Sequence, residues 1–158
     1  MREQLNEPWV SRMADILVFE ILEQMSGIRV KTGCERASAE ETMDTVYGLI
    51  DGEYRMELRF RAQPSMFRRL TENMMGEPPQ EEDVRDYAEE FFNVLCGRFV
   101  SEIYRTTKMK GRFLPTQYGK PLKVLAAEEW SSSCTRCFVS EEKELAEFSW
   151  HFAESEEE

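Results

Sequence analysis

Between Tyr54 and Arg61 the chain alternates without a slip: Tyr54, Met56, Leu58 and Phe60 are apolar, while Arg55, Glu57, Arg59 and Arg61 are charged. Successive side chains of a β-strand point to opposite faces, so such a run buries one face and wets the other. On a helix the same residues would scatter around the axis. The run therefore demands a sheet with one packed and one solvated face, the habit of antiparallel sheets. Asp51-Gly52 precedes it as a hairpin signal, with Val46, Leu49 and Ile50 on the other arm. A second hairpin is expected near the end, with Cys134–Val139 and Leu145–Phe152 flanking Ser140–Glu144. In its second arm Ala146, Phe148, Trp150 and Phe152 fall on one side.

Three segments carry helical spacing instead. Pro8–Met25 repeats Val10, Met13, Ile16, Leu17, Ile21, Leu22 and Met25 three or four residues apart, with Gly27 beyond its end. Pro64 opens a second helix, Ser65–Met75, closed by Gly76; its apolar side is Met66, Phe67, Leu70, Met74 and Met75. The third and longest runs from Gln80 to about Arg105. Ile28–Cys34, Arg112–Tyr118 and Leu122–Trp130 read as further strands, with a polar turn at Cys34–Thr42 and another at Gly119-Lys120-Pro121. Helices in blocks between strands joined by tight turns give an α+β fold: a mostly antiparallel sheet packed against two or three helices.

The chain of 158 residues is read as one domain, 1–153, followed by an acidic tail, 154–158. Its formal net charge of −11 speaks against nucleic acid or an anionic membrane as the main partner. Met1–Val18 lacks a signal-peptide pattern, and no run reaches the roughly 18 apolar residues of a membrane span, so a cytoplasmic protein is expected. Cys34, Cys96, Cys134 and Cys137 are then read as free thiols. Cys134-Thr-Arg-Cys137 has a metal-site spacing, but a zinc site usually wants two such pairs, and residues three apart on a strand face opposite ways. No metal or redox role is therefore expected of this pair.

Plotted at 100° per residue, the third helix gathers Val84, Ala88, Phe91, Phe92, Leu95, Phe99 and Ile103 on one face. Asp86, Glu90, Asn93 and Gly97 make a narrow stripe nearly opposite. One reading is simply the solvated side of an amphipathic helix. The other starts from Asn93 and Gly97, both poor helix formers; Gly costs about 1 kcal/mol relative to Ala in a helix interior. Their place on an exposed stripe suggests a need for a short amide and for close approach by something else.

Asp86, then Glu90-Phe-Phe-Asn93-Val-Leu-Cys-Gly97, resembles the motif of the CheC/CheX/FliY chemotaxis phosphatase family: Asp or Ser, three residues, Glu, two residues, Asn, and a Gly four residues on. The surroundings are similar too, in Met-Ser-Gly27 before Ile28-Arg-Val30, in Asn73-Met-Met-Gly-Glu77, and in Leu114-Pro-Thr-Gln-Tyr-Gly119. The likeness runs from about Pro8 to Phe152, and the single motif copy resembles the CheX branch. It implies a CheX/CheC-like fold that dimerises through its sheet. It also implies hydrolysis of the phosphoaspartate of a CheY-like response-regulator receiver. Asn93 would orient the attacking water, Glu90 would pair with the receiver's lysine, and Asp86 and Gly97 would support them. The Mg²⁺ would belong to the receiver. Phe91, Phe92 and Arg98 depart from the family's usual residues, which leaves a non-catalytic binding or scaffold module in two-component or flagellar signalling as the alternative. An unrelated ligand-binding domain would instead show a large apolar pocket. His151 and the three tryptophans read as structural, and Arg55, Arg59 and Arg61 as lining the wet sheet face.

Overall fold

A computed structural model of the chain describes residues 7–33, 43–119 and 132–154. In chain order the elements are α1 (Glu7–Ser26), β1 (Val30–Thr32), β2 (Asp44–Gly52), β3 (Tyr54–Ala62), α2 (Pro64–Met75), α3 (Glu81–Thr107), β4 (Gly111–Phe113), β5 (Gln117–Tyr118), β6 (Ser132–Ser140) and β7 (Leu145–Glu154). The strands form one antiparallel sheet in the order β1-β6-β7-β3-β2-β4, with β5 also on β2. The three helices pack on one another and on one face of this sheet. The class is the α+β arrangement expected from the sequence.

The alternation of β3 sets the layers. Tyr54, Met56, Leu58, Phe60 and Ala62 are buried, and in register with them on β7 lie Phe152, Trp150, Phe148 and Ala146. Phe91 of α3 meets Phe60 edge-on at 5.2 Å, and Phe99 stacks on Phe148 at 5.3 Å. Burying each such side chain contributes about 1.5–3 kcal/mol. Gly48 of β2 is the notch that admits α3: a Cβ there would lie 2.7 Å from Cys96 Sγ and 3.0 Å from Phe92 Cε2.

The other sheet face carries Arg55, Glu57, Arg59 and Arg61 as expected, but its carboxylates are not wet. Glu57 and Glu147 are buried, Glu57 paired with Arg59 and Glu147 with Arg61. The Arg59 guanidinium lies over the Tyr47 ring. The partly exposed guanidinium groups of Arg59 and Arg61 thus pair with the buried carboxylates directly.

Four expectations shift in detail. The hairpin between β2 and β3 turns at Glu53 rather than at Asp51-Gly52, because the Glu53 amide donates to Lys110 O and Gly52 stays paired with Gly111. Gly52 takes a φ of 153°, and a Cβ there would sit 2.6 Å from Lys110 O. Ile28–Cys34 pairs only over Val30–Thr32. Arg112–Tyr118 is not one strand but two, β4 and β5, because Pro115-Thr116 leaves the sheet toward α3. β7 runs through Glu154, the first residue of the segment read as a tail. The turn at Cys34–Thr42, the strand at Leu122–Trp130, Lys120-Pro121 and the rest of the tail lie outside the described residues, as does Cys34.

Candidate functional site

α3 is capped at its ends and anchored along one face. Gln80 caps its N-terminus in a reciprocal box with Asp83, whose carboxylate accepts the Gln80 amide at 2.8 Å. Glu81, Glu82 and Asp83 sit in the first turn and Arg105 in the last, each complementing the helix dipole. Ala88, Phe91, Phe92, Leu95, Cys96, Phe99 and Ile103 are fully buried. Cys96 thus belongs to the core, where burial pushes its thiol pKa well up.

The structure places the four stripe residues on the opposite side. Asp86 and Glu90 are exposed; Asn93 and Gly97 are half-buried. Glu90 and Asn93 are one turn apart, so a single rigid element carries both. A Cβ on Gly97 would lie 3.6 Å from Phe113 Cε1, an ordinary contact, so nothing within the described chain requires a glycine here. Phe91 and Phe92 point into the core and do not obstruct the stripe. Arg98 reaches away from it to Glu20 of α1, at 3.2 Å.

The stripe has an apolar border. Among the described residues five large hydrophobic side chains are exposed: Val94 and Tyr104 lie on α3 itself, Phe113 of β4 comes within 3.6 Å of where a Cβ on Gly97 would lie, and Leu114 follows it. The fifth, Ile16, lines an open groove of about 410 Å³ between α1 and α3, with Glu20, Arg98, Glu102 and Arg105 on its walls. Neither this groove nor a second of about 350 Å³ beside Arg29, Lys31, Glu141 and Lys143 is the enclosed apolar pocket that an unrelated ligand-binding domain would need.

Behind the stripe runs Leu114–Gly119, which sequence reading singled out without giving its residues a role. The Thr116 hydroxyl lies 3.0 Å from Asn93 Oδ1 and 3.1 Å from the Glu89 carbonyl. The Tyr118 amide donates to the Glu89 carboxylate at 3.0 Å, and its hydroxyl to Asp44 at 2.8 Å. Burial and the neighbouring Asp44 push the Tyr118 pKa up, so the phenol stays protonated. The pairing of Thr116 with Asn93 spans 23 residues and carries no local sequence signal.

Cys134 lies in register with Trp150 on the helix-facing side, and Cys137 with Glu147 on the other, so the CxxC pair is split between faces. Among the described residues no three His, Cys, Asp or Glu side chains are grouped to hold a metal ion. Among them, too, no helix is long and apolar enough to cross a membrane.

No curated protein matches the chain. Solved structures do. A chain from the CheX-CheY-BeF3-Mg²⁺ complex of Borrelia burgdorferi superposes with a TM-score of 0.72 at 14% identity, covering 92% of this chain and 97% of that one. The chemotaxis protein CheX of Desulfovibrio desulfuricans gives 0.70 at 14%, covering 92% and 99%. A CheC-like superfamily protein from a Shewanella species gives 0.70 at 17%, covering 94% and 99%. At these identities the likeness establishes the fold. The family model described as chemotaxis phosphatase CheX matches residues 46–124, half of the chain and the part that holds the stripe and the segment behind it. The chain belongs to the CheX family of chemotaxis phosphatases.

Proposed function

We propose that the chain hydrolyses the phosphoaspartate of a CheY-like response-regulator receiver. The observation that carries this reading is the display of Glu90 and Asn93 on the outward side of a helix whose inward side is locked in the core. A phosphoaspartate is an acyl phosphate, and its hydrolysis needs positioning and charge stabilisation more than covalent chemistry. A water oxygen attacks phosphorus in line, and the bond from phosphorus to the aspartyl oxygen breaks. Inorganic phosphate and a free carboxylate leave, and the water's proton goes to the phosphate or to solvent. Asn93 holds the water; it is not a base, since an amide does not titrate here. Glu90 pairs with the receiver's lysine and fixes the docking. Asp86 supports that contact, and Gly97 gives the partner room. The Mg²⁺ that shields the phosphoryl group is the receiver's own, and this chain brings no cofactor.

Val94, Tyr104, Phe113 and Leu114 provide the apolar border that docking of a receiver would cover. The protein acts in the cytoplasm, as a homodimer joined through its sheet. The test is the decay of a phosphorylated CheY-like receiver with the wild type and with Asn93→Ala. Losing a water-positioning group costs about 3 kcal/mol, on the order of a hundredfold in rate. Acceleration by the wild type that Asn93→Ala loses, with binding kept, supports the phosphatase. Receivers that bind the wild type yet lose phosphate no faster point to the non-catalytic binding module.

A further inference from the structure

An asparagine on a helix surface turns about two side-chain torsions, and its amide has two ends of opposite character: the oxygen accepts and the nitrogen donates. A residue that positions a water must present one chosen end in one direction. Nothing in a helix does this by itself, so the constraint on Asn93 must come from another element.

We infer that Thr116 is a positioning residue for Asn93; the inference rests on the phosphatase reading above. Thr116 is 7% exposed, and its hydroxyl lies within hydrogen-bond distance of two acceptors on α3, Asn93 Oδ1 and the Glu89 carbonyl. A hydroxyl has a single hydrogen, which these two acceptors share. The Asn93 amide oxygen is thereby turned toward Thr116, and its two N–H donors toward solvent. Those donors suit the lone pair of a water or a phosphoryl oxygen, whereas Glu90 one turn earlier offers an acceptor.

Thr116 is itself fixed without help from Asn93. Pro115 restricts the backbone on its N-terminal side. The Leu114 amide donates to Leu49 O and the Gly119 amide to Thr45 O, both at 2.8 Å, so the segment is fastened to β2 at either end. Tyr118 is held to Glu89 and Asp44. The break between β4 and β5 is what brings this hydroxyl onto α3 instead of leaving it in the sheet edge.

The test uses the full chain and a phosphorylated CheY-like receiver, with kcat and KM measured separately. Thr116→Val keeps the shape and removes the hydroxyl; kcat is expected to fall about tenfold with KM within twofold of wild type. Thr116→Ser, which restores the hydroxyl, is expected to recover most of that loss. In an Asn93→Ala background Thr116→Val is expected to add no further loss. A second readout does not depend on turnover: the side-chain amide of Asn93, followed by ¹⁵N relaxation, is expected to become more mobile in Thr116→Val than in wild type or Thr116→Ser. The inference is overturned if Thr116→Val leaves both kcat and amide mobility unchanged. It is equally overturned if Thr116→Ser is as impaired as Thr116→Val, because packing rather than the hydroxyl then matters. A wild type that accelerates no receiver, with the amide still ordered by Thr116, refutes the phosphatase reading and reduces Thr116 to a structural contact.

Discussion

Replacing Gly97 with alanine separates what the fold needs from what a partner needs. Gly97 lies inside α3, where alanine is better by about 0.8–1 kcal/mol. The new methyl would meet Phe113 Cε1 at 3.6 Å and Cζ at 4.0 Å, ordinary contacts that add roughly 0.1–0.2 kcal/mol each. No clash offsets these gains, so Gly97→Ala should be more stable by about 1 kcal/mol, a rise of roughly 2–4 °C in Tm for a chain of this size. The cost should appear only with the receiver. A methyl standing where a partner backbone passes should lower kcat/KM about tenfold, equivalent to ~1.4 kcal/mol, and mostly through KM. Thermal unfolding by circular dichroism and dephosphorylation of a phosphorylated receiver measure the two halves. A variant that melts below wild type would refute the packing argument. A stabilised variant with unchanged kcat/KM would refute the idea that the glycine serves close approach.

Gly48, which faces α3 from β2, should behave oppositely: Gly48→Ala forces a methyl to 2.7 Å from Cys96 Sγ and should cost about 1–3 kcal/mol in chemical denaturation, whereas unchanged stability would mean α3 is not seated against β2. Arg69 binds Glu144 at 2.7 Å and Glu141 at 2.9 Å, so Arg69→Met should destabilise by about 1–3 kcal/mol by leaving the buried Glu144 carboxylate short of a partner. Glu144→Gln in the Arg69→Met background should recover part of this, and no recovery would sink the account. Burial, and then the charge of Arg59, holds the His151 pKa below its ordinary 6.5. As pH falls through 6.5 the unfolded chain takes up this proton before the native one, so stability drops until the native value is passed. His151→Gln should therefore lose less stability than wild type between pH 7.5 and pH 5.5 in urea titrations, and equal losses would show that His151 is not responsible.

How much of this could be read from the residues follows from the reach of each signal. The layers were legible because alternation at Tyr54–Arg61 and at Ala146–Phe152 is local and the structure buries the expected side of both. The stripe on α3 was legible for the same reason, since helix spacing alone sets Asp86, Glu90, Asn93 and Gly97 opposite Phe91, Leu95 and Phe99. What escaped was non-local. The turn moved from Asp51-Gly52 to Glu53 because Lys110, far along the chain, takes up the Glu53 amide. The broken edge at Leu114–Thr116 depends on Glu89 and Asn93, which no pattern around Pro115 announces. Glu57 looked solvated because a period-2 pattern sorts faces, not depth, and only the pairing of β3 with β7 brings Arg61 over the buried Glu147.

The placement of Asn93 near the middle of the 27-residue α3 bears on motion as well as geometry. Helix ends fray, and amides there exchange through small local openings; a segment buried along its length against sheet and helices exchanges only when the whole domain opens. The stripe therefore sits away from the fraying ends, on a helix whose other face is buried in the core. If the stripe docks a receiver as proposed, that partner would meet a surface that does not adapt, and the ordering that accompanies docking would fall on the receiver's own loops. On heating, exchange protection of the α3 amides and competence of the site should then vanish together in one transition.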